Sequence, residues 1–375
     1  MNAYYPNNLK GKKVIVGLSG GVDSSVTAAL LKEQGADVFG LFMKNWEEKD
    51  PNGRCISSKE YEDVISVCEK LDIPYTSIDF VQEYQENVFN EFLEGYQKGH
   101  TPNPDILCNR EIKFKVFFEQ AMLMGADYLA TGHYCQIGKT ETGELCLLKG
   151  KDSNKDQTYF LGAIPGNVLD KVLFPIGHLD KSEVREIAER YQLSVSKKKD
   201  STGICFIGER NFKPFLANYL KPKKGKFIEL ETGEIVGEHD GAQFYTIGQR
   251  KGLGLGGQGK PWFVTSKCID KNVVYVVRGE DHPSLYTDHC FVSDLSWINF
   301  SATQSIKCEV KLRYRQKSIP CHVELDNQGG AKISYQPEKA VTIGQSAVFY
   351  QGDSCIGSGF ISEIGPNQYE TSSSL

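Results

Sequence analysis

Residues 17–25 combine the residue types of a phosphate-binding loop. They read Gly-Leu-Ser-Gly-Gly-Val-Asp-Ser-Ser and lie between an apolar run and a segment compatible with a helix. Gly20 and Gly21 would let backbone N–H groups approach an anion closely. Asp23 or Ser24 could cap the following helix, whose N-terminus favours negative charge. The stretch therefore predicts a strand, a phosphate-binding turn and a helix.

The order of residues in this stretch separates two kinds of phosphate loop. A Walker A loop needs a lysine that reaches the β- and γ-phosphates, and residues 14–31 contain none. The pattern Ser-Gly-Gly-x-Asp-Ser resembles instead the loop of ATP pyrophosphatases, enzymes that adenylate a carbonyl oxygen and release pyrophosphate. The alternative is a glycine-rich turn of an ordinary α/β domain.

A second segment that could do chemistry, at residues 101–110, reads Thr-Pro-Asn-Pro-Asp-Ile-Leu-Cys-Asn-Arg. Its two prolines predict a stiff loop between helices. Asp105 precedes Cys108 by three residues, so its carboxylate could act on chemistry beside the sulfur. Arg110 or Lys113 could favour the reactive thiolate. The alternative is a buried cysteine under a proline-rich turn.

A third segment, at residues 200–210, places Cys205 between two glycines and beside a basic run. Positive surroundings favour a thiolate, and a persulfide on such a cysteine would donate sulfur; the alternative is again a packed cysteine. Together, the loop and the two cysteines indicate ATP-driven sulfur insertion. ATP would activate a carbonyl oxygen, one cysteine would deliver sulfur, and the other would resolve the resulting disulfide.

One further motif imitates a dinucleotide site. Residues 252–257 match Gly-x-Gly-x-x-Gly, but the sequence Gln-Gly-Lys-Pro and an apolar, strand-like run follow them. The dinucleotide fingerprint requires a helix at that point. We therefore expect a glycine-rich loop without NAD.

The elements that would position these residues alternate along the first half of the chain. Apolar runs predict buried strands at 14–18, 38–43, 75–78 and 128–131. Helical periodicity occurs between them at 24–33, 60–71, 82–95 and 113–124. This alternation predicts an α/β domain with a doubly wound, mostly parallel sheet that binds ligands at the carboxyl ends of its strands. The loop at 17–24, Met43 and residues 132–133 are expected to share that crevice.

The second half has a different pattern. Short alternating segments predict strands at 226–231, 236–238, 263–270, 273–278, 307–314, 321–324, 332–335 and 347–350. This is typical of β-barrels and sandwiches. We predict three domains: an N-terminal domain at 1–209, a small central mixed or β-rich domain at 210–282, and a C-terminal β-barrel at 283–375.

Composition limits the class of protein. The chain has 375 residues, of which 40% are hydrophobic and 24% charged, with a formal net charge of −5. This is typical of a globular protein, and no signal peptide or membrane span is visible, so we expect a cytoplasmic location. Its 11 cysteines include no Cys-x-x-Cys, which argues against a zinc ribbon or a cysteine-ligated cluster. Most should be buried thiols.

Two basic stretches could bind a phosphate backbone. The first spans residues 195–226, and the second comprises Lys307, Lys311, Arg313, Arg315 and Lys317. Local positive patches on a mildly acidic protein suit nucleic acid. Solvated lysine faces are the alternative.

Several motifs together resemble the bacterial tRNA-specific 2-thiouridylase family, over residues 13–361. They are Ser-Gly-Gly-Val-Asp-Ser, Thr-Pro-Asn-Pro-Asp-Ile-Leu-Cys-Asn, Ala-Thr-Gly-His-Tyr, Lys-Asp-Gln-Thr-Tyr-Phe-Leu and Asp-Ser-Thr-Gly-Ile-Cys-Phe-Ile-Gly. The resemblance implies a pyrophosphatase-type α/β domain, a small central domain and a C-terminal barrel. It implies ATP binding by Gly17, Leu18, Ser19, Gly20, Gly21, Val22, Asp23, Ser24, Met43 and Gly132.

The same resemblance implies the remaining roles. Cys108 would be the nucleophile or resolving thiol, Cys205 would carry the persulfide, and Asp105 would be a candidate general acid or base. Asn103, Pro104 and Asp105 would contact the target base. The other residues that would contact tRNA are His133, Lys155, Asp156, Gln157, Arg313, Tyr314 and Gln345. Taken from the residues alone, 155–157 is only a charged loop and Gln345 carries no signal.

The resulting hypothesis is ATP-dependent 2-thiolation of the wobble uridine of tRNA, with Mg²⁺ accompanying ATP. The expected partners are the anticodon region of tRNA and a persulfide donor, either a cysteine desulfurase or a relay protein. Two alternatives remain open: attack of an amine or ammonia on the adenylate, and a tRNA-binding protein that merely retains a nucleotide loop. A cluster-dependent thiolase would need further cysteine ligands, and the spacing offers none.

Overall fold

The N-terminal part of the molecule is built on a parallel sheet. The computed structural model describes residues 2–6, 8–47, 56–200, 212–302 and 304–367. In spatial order, the five strands are Tyr75–Asp79, Asp37–Lys44, Lys13–Leu18, Tyr128–Ala130 and Val172–Leu173. Every neighbouring pair is parallel. The predicted doubly wound parallel sheet is confirmed.

Helices cover both faces of this sheet, because its strands carry apolar side chains on both sides. Val22–Glu33, Ile56–Leu71 and Lys181–Arg190 pack on one face. The other face carries Val81–Tyr84, Gln85–Phe89, Asn90–Gln97, Cys108–Val116 and Phe117–Leu123. The predicted apolar stripe of the second helix, Val64, Val67, Cys68 and Leu71, is buried. Short helices at Pro104–Leu107, Thr158–Leu161 and Gly166–Lys171 complete this part.

The central unit is a four-stranded sheet. After the helix Phe212–Ala217, its strands in spatial order are Ile235–His239, Gly225–Glu229, Val273–Arg278 and Trp262–Cys268. A short 3₁₀ turn, Ala242–Phe244, precedes the glycine-rich loop. That loop leads into the strand Trp262–Cys268 and not into a helix, as predicted.

The C-terminal unit is a closed six-stranded antiparallel barrel, which confirms the predicted architecture. Its strands in order around the barrel are Ser354–Ile364, Tyr286–Trp297, Ala331–Lys339, Ile319–Leu325, Ser305–Lys311 and Ser346–Gln351. The last of these pairs with the first and closes the barrel. Three strands of the N-terminal part, Asn2–Ala3, Cys135–Lys139 and Leu145–Lys149, continue the same sheet outward from Ser354–Ile364.

The two longest barrel strands, Tyr286–Trp297 and Ser354–Ile364, were not predicted. Ser354–Ile364 contains Gly357 and Gly359, which imitate turn residues. They are packing residues: a Cβ on Gly357 would lie 2.3 Å from the carbonyl oxygen of Ser296. Glycine within a strand often marks such a close approach of backbones.

Candidate functional site

The glycine-rich loop at the end of strand Lys13–Leu18 is held by its own serines. The Ser24 hydroxyl accepts a hydrogen bond from the Ser19 amide at 3.2 Å, and the Ser25 hydroxyl donates to the Gly21 carbonyl at 2.8 Å. Gly20 has φ +69°, and an added Cβ would lie 2.5 Å from the Glu60 carbonyl oxygen. Only glycine fits there, because both the backbone conformation and the space exclude a side chain.

The predicted helix cap is wrong. The helix begins at Val22, its N-cap is Gly21, and no side chain caps it. Asp23 and Ser24 lie two and three residues past the N-cap, inside the first turn. The Asp23 carboxylate instead accepts hydrogen bonds from the Tyr134 hydroxyl at 2.8 Å and the Lys181 ammonium at 2.7 Å. The first-turn amides therefore have no side-chain cap, which suits an incoming anion.

Neighbouring strands bring the other predicted nucleotide residues to the same edge of the sheet. Gly132 follows strand Tyr128–Ala130, and an added Cβ would lie 2.8 Å from both the Asp23 carbonyl carbon and the Ser24 nitrogen. Met43 lies near the end of the adjacent strand Asp37–Lys44 and is half-buried. The expected convergence at the carboxyl ends of the strands is present.

Sequence reasoning missed the cations at this loop. Lys181, from the start of helix Lys181–Arg190, contacts both Asp23 carboxylate oxygens, at 2.7 and 3.0 Å, and is 13% exposed. Lys198 donates to the Gly20 carbonyl at 2.9 Å and pairs with Asp63 at 2.7 Å. The helix start had a signal, the capping box of Asp180 and Glu183. No signal in the sequence indicates that the Lys181 side chain contacts Asp23, because that contact depends on how the helix packs.

Asp200 connects the loop to two other cations. Its carboxylate pairs with Lys155 at 2.5 Å, Lys181 at 2.8 Å and Arg185 at 2.7 Å. Burial raises the pKa of this carboxyl, but hydrogen bonds from Lys155 and Lys181 outweigh that effect and lower its pKa to about 2. Cys205 follows five residues later and, with residues 201–211, lies outside the described residues.

The structure corrects the predicted loop around Cys108. Residues from Pro104 onward are helical: Pro104–Leu107 runs into the π-helix Cys108–Val116. Asn103 is the N-cap, and its side chain accepts a hydrogen bond from the Asp105 amide at 3.1 Å. An Asn-Pro start is favourable helix-capping chemistry, since proline fits the first helical position. Cys108 is therefore a helical residue.

Cys108 is fully buried, in a core cluster that includes Ile15 and Leu41 of the two central strands. Arg110 was expected to favour its thiolate, but the guanidinium pairs with Glu111 at 2.8 Å and with Asp294 of the barrel at 2.5 Å. Asp105, one helical turn earlier, is half-buried.

The barrel lies against the segment that precedes Cys108. The Gln345 amide donates to the Thr101 carbonyl at 2.6 Å, and the Thr101 amide donates to the Ile343 carbonyl at 2.9 Å. An added Cβ on Gly344 would lie 3.0 Å from the Pro102 nitrogen. Gln345 therefore contacts Thr101, which precedes Asn103 by two positions. Its own sequence context carried no signal for this contact.

Residues 155–157 are more than a charged loop. Asp156 is 5% exposed, and its carboxylate pairs with Lys311 of the barrel at 3.3 Å. The Gln157 side chain accepts a hydrogen bond from the Tyr134 amide at 2.9 Å. Lys155 is bound to Asp200, as described above. The segment thus joins the nucleotide loop to the barrel.

The barrel hairpin that carries Arg313 and Tyr314 meets this segment and the Cys108 helix. The half-buried Tyr314 ring packs on Phe160, with centroids 4.3 Å apart. The Phe160 carbonyl accepts a hydrogen bond from Asn109 at 2.9 Å, next to Cys108. Arg313 is exposed and donates to the Lys339 carbonyl at 3.4 Å.

His133 lies inside the molecule. It is 8% exposed, its Nδ1 is 2.8 Å from the Thr131 hydroxyl, and its ring contacts Phe114 and Phe174. Burial lowers its pKa well below the ordinary value, so the ring is neutral at pH 7. A buried ring offers little surface to a macromolecule.

The two predicted basic stretches differ in the fold. Lysines of the first are paired with carboxylates: Lys198 with Asp63, Lys213 and Lys224 with Asp240, and Lys226 with Glu238. In the second, Lys311 pairs with Asp156, whereas Arg313, Arg315 and Lys317 are exposed without a carboxylate partner among the described residues. The first stretch also has exposed lysines without a carboxylate partner among the described residues, namely Lys197, Lys199, Lys221 and Lys223, so both stretches carry unpaired positive charge.

The described ranges lack two kinds of feature. None of their helices is long and apolar enough to cross a membrane. Within the same ranges, no group of three or more histidine, cysteine or acidic side chains is arranged to hold a metal ion. The nine cysteines there are mostly buried, as expected.

Family models match three consecutive stretches of the chain. Residues 12–209 match the tRNA methyl transferase HUP domain, 213–278 the tRNA methyl transferase PRC-barrel domain, and 287–361 the aminomethyltransferase beta-barrel domain.

Two curated relatives that match almost the whole chain have the same name. A tRNA-specific 2-thiouridylase MnmA of Protochlamydia amoebophila is 52% identical over 365 residues, covering 97% of each chain. One of Staphylococcus aureus is 51% identical over 363 residues, covering 96% of this chain and 97% of the relative. Among solved structures, a U34-tRNA thiolase NcsA from Methanococcus maripaludis aligns with 57% of this chain and 66% of its own, at 20% identity and a TM-score of 0.37.

Proposed function

The chain belongs to the tRNA-specific 2-thiouridylase family of tRNA-uridine 2-sulfurtransferases, and from that membership we propose the finer activity. The enzyme replaces the C2 oxygen of the wobble uridine, U34, with sulfur carried as a persulfide on Cys205. One observation carries the proposal: the segments assigned to tRNA meet around the helix that holds Cys108. These segments are 103–105, 155–157, 313–314 and Gln345.

The first half-reaction is adenylation of the C2 oxygen. The loop at 17–24, Met43 and Gly132 bind ATP, with the phosphates on the uncapped first turn of the helix. Lys181 supplies the cation that the loop itself lacks. The C2 oxygen of the base attacks the α-phosphorus, and pyrophosphate leaves. Mg²⁺ prefers oxygen ligands, and the Asp23 carboxylate with the Ser19 and Ser24 hydroxyls would offer such ligands in this loop.

The second half-reaction is sulfur transfer. The terminal sulfur of the Cys205 persulfide attacks C2, the C2–O bond breaks, and AMP leaves with the oxygen. The Cys108 thiolate then attacks the Cys205 sulfur, which forms a Cys108–Cys205 disulfide and releases 2-thiouridine. In the other order, Cys108 attacks the persulfide first and frees hydrosulfide, which attacks C2. Either order leaves a disulfide that a thiol reductant must reduce before the next turnover.

Cys108 cannot react where it lies, because its side chain is fully buried. The neighbouring contacts of its helix, Asn109 with Phe160 and Arg110 with Asp294, must loosen to expose the sulfur. Asp105, one turn earlier, is the candidate to move a proton at the base. The base must be splayed out of its stack to reach this position.

Two partners follow from this chemistry. The anticodon region of tRNA supplies the single-stranded base. A cysteine desulfurase, or a relay protein loaded by one, supplies the sulfane sulfur to Cys205.

Mass spectrometry of tRNA nucleosides tests the proposal. Purified enzyme, tRNA, ATP and a persulfide donor are expected to yield 2-thiouridine at position 34. Cys205→Ser should abolish the product. Cys268→Ser is the control, because Cys268 is a half-buried cysteine of the central sheet, and this variant should still form the product. Product formation by Cys205→Ser would overturn the persulfide role. Pyrophosphate release that is not stimulated by tRNA would leave only a tRNA-binding module.

A further inference from the structure

The glycine-rich loop of the central unit has a strongly one-sided charge. Residues 241–269 contain no aspartate or glutamate but include Arg250, Lys251, Lys260 and Lys267. Lys267 is used internally, since its ammonium donates to the Tyr245 carbonyl at 2.6 Å. The other three are exposed, and no carboxylate lies within ion-pair distance of them in the described ranges. Cations without partners attract an external anion.

The loop lines an open pocket of about 260 Å³. The Arg278 guanidinium lies 4.0 Å from the Trp262 ring centre and donates to the carbonyls of Gln258 at 2.9 Å and Lys260 at 3.1 Å. The Trp262 indole donates to the Gly256 carbonyl at 3.2 Å. These contacts hold residues 256–260 against the sheet.

Glycine is required for this loop conformation. Gly252, Gly254, Gly257 and Gly259 have φ of +75°, +69°, +111° and +109°. With no Cβ atoms in the way, a phosphate can approach the backbone amides closely. A strand follows instead of a helix, so the dinucleotide arrangement does not apply.

The loop begins beside the residues already assigned to tRNA. The Thr246 hydroxyl is 3.3 Å from that of Thr101, two residues before Asn103. An added Cβ on Gly248 would lie 2.4 Å from the Ala340 side chain. The residue before Ala340, Lys339, accepts the hydrogen bond of Arg313. A nucleic acid that reaches both Asn103 and Arg313 passes close to Arg250 and Lys251.

We propose that Arg250, Lys251, Lys260 and the glycine backbone form a further tRNA contact, which binds backbone phosphates without reading sequence. This inference rests on the proposed function, because it takes tRNA as the ligand. Phosphate contacts fix the register of a nucleic acid on a protein and make its affinity depend on salt.

The test compares charge-matched double variants. Arg250→Ala/Lys251→Ala is expected to raise the KM for tRNA about tenfold, and the slope of log affinity against log salt should become less negative by about 1.5. The KM for ATP should not change. Lys10→Ala/Lys171→Ala removes the same charge from two exposed lysines at the amino ends of the parallel strands and should behave like wild type. Equal salt slopes for the two double variants would overturn the inference.

A second pair of variants tests the loop without deleting a side chain. An added Cβ on Gly256 meets nothing within 4 Å, so both Gly256→Ala and Gly256→Glu should fold. Gly256→Ala should bind tRNA like wild type, and Gly256→Glu should bind it at least fivefold more weakly. Normal binding by Gly256→Glu would contradict the inference. If wild-type enzyme forms no 2-thiouridine while these binding differences persist, the proposed function fails and the contact stands.

Discussion

Asp23 has two partners in this structure, the Lys181 ammonium and the Tyr134 hydroxyl, and ATP would compete for both. The signature loop has no lysine, so the charge that stabilises departing pyrophosphate must come from elsewhere in the fold. Lys181 is the candidate with the shortest contact to the loop's carboxylate, and its exposure is only 13%. Electrostatic interactions are stronger at sites from which water is partly excluded.

Replacing Lys181 by methionine is therefore expected to slow tRNA-dependent pyrophosphate release about 100-fold, the usual effect of removing one stabilising group. Lys151→Met is the matched control, because Lys151 pairs with Asp180 and Glu183 at the start of the same helix but is exposed. Its rate should stay within about twofold of wild type. An unchanged rate for Lys181→Met, measured by a coupled pyrophosphate assay, would exclude the role.

His133 gives a prediction about pH. Its pKa is lowered in the fold, so the unfolded chain binds its proton at higher pH than the native chain. Stability should therefore be complete above an ordinary histidine pKa of about 6.5 and fall as pH drops below it, by up to about 1.4 kcal/mol per pH unit. His133→Phe should flatten the dependence of the unfolding free energy between pH 7 and 5. A variant as pH-sensitive as wild type would show that His133 is not a buried neutral ring.

At the scale of elements, the sequence predicted strand bounds best where a strand is buried on both faces and therefore has a continuous apolar run. Four strands of the parallel sheet were predicted to within one residue at either end. They are Lys13–Leu18, Asp37–Lys44, Tyr75–Asp79 and Tyr128–Ala130. Apolar runs define such strands because both faces are covered. The same reasoning failed for Ser354–Ile364, where glycines serve close packing.

The start of the Cys108 helix shows why part of the site escaped prediction. Two prolines suggested a loop, but Pro104 occupies a first helical position, where its missing N–H costs nothing. Lys181 and Gln345 could not be placed at all. Their contacts, with Asp23 and Thr101, join residues 158 and 244 positions apart and arise only from packing.

Asn103 combines a cap with a proposed base contact, and two substitutions separate these roles. Asn103→Ala removes the hydrogen bond to the Asp105 amide and should cost about 1 kcal/mol of stability. Asn103→Asp keeps a side-chain oxygen that accepts the hydrogen bond from the Asp105 backbone N–H. It loses the side-chain N–H₂ group, which is the proposed donor to the base. It should unfold like wild type in urea yet form much less 2-thiouridine. Full activity of Asn103→Asp would contradict a base contact through the side-chain N–H₂ group.

At the scale of the whole molecule, the barrel is part of the site. Its sheet continues into strands of the N-terminal part, its turn at 343–345 binds the segment before Cys108, and Lys311 pairs with the buried Asp156. The division into domains at 1–209, 210–282 and 283–375 stays a prediction. The contacts explain how distant segments of the chain could present one surface to tRNA.

The Asp156–Lys311 pair tests this coupling. Asp156→Leu and Lys311→Met should each lower the free energy of unfolding by about 3 kcal/mol, because each leaves a buried charge without its partner. The double variant should lose less than the sum. Glu280→Gln breaks the exposed pair with Lys339, where Glu280 is 70% exposed, and should cost under about 1 kcal/mol. Additive effects of the two buried substitutions in urea unfolding would mean that the pair does not couple the parts.

The central claim is that ATP activates the C2 oxygen of the base and that sulfur then replaces it. The most direct measurement follows that oxygen, using tRNA with ¹⁸O at C2 of U34. After one turnover with ATP and persulfide-loaded enzyme, the account predicts one 2-thiouridine and ¹⁸O in the phosphate of AMP. Label in pyrophosphate or in water, or thiolation without labelled AMP, would contradict it.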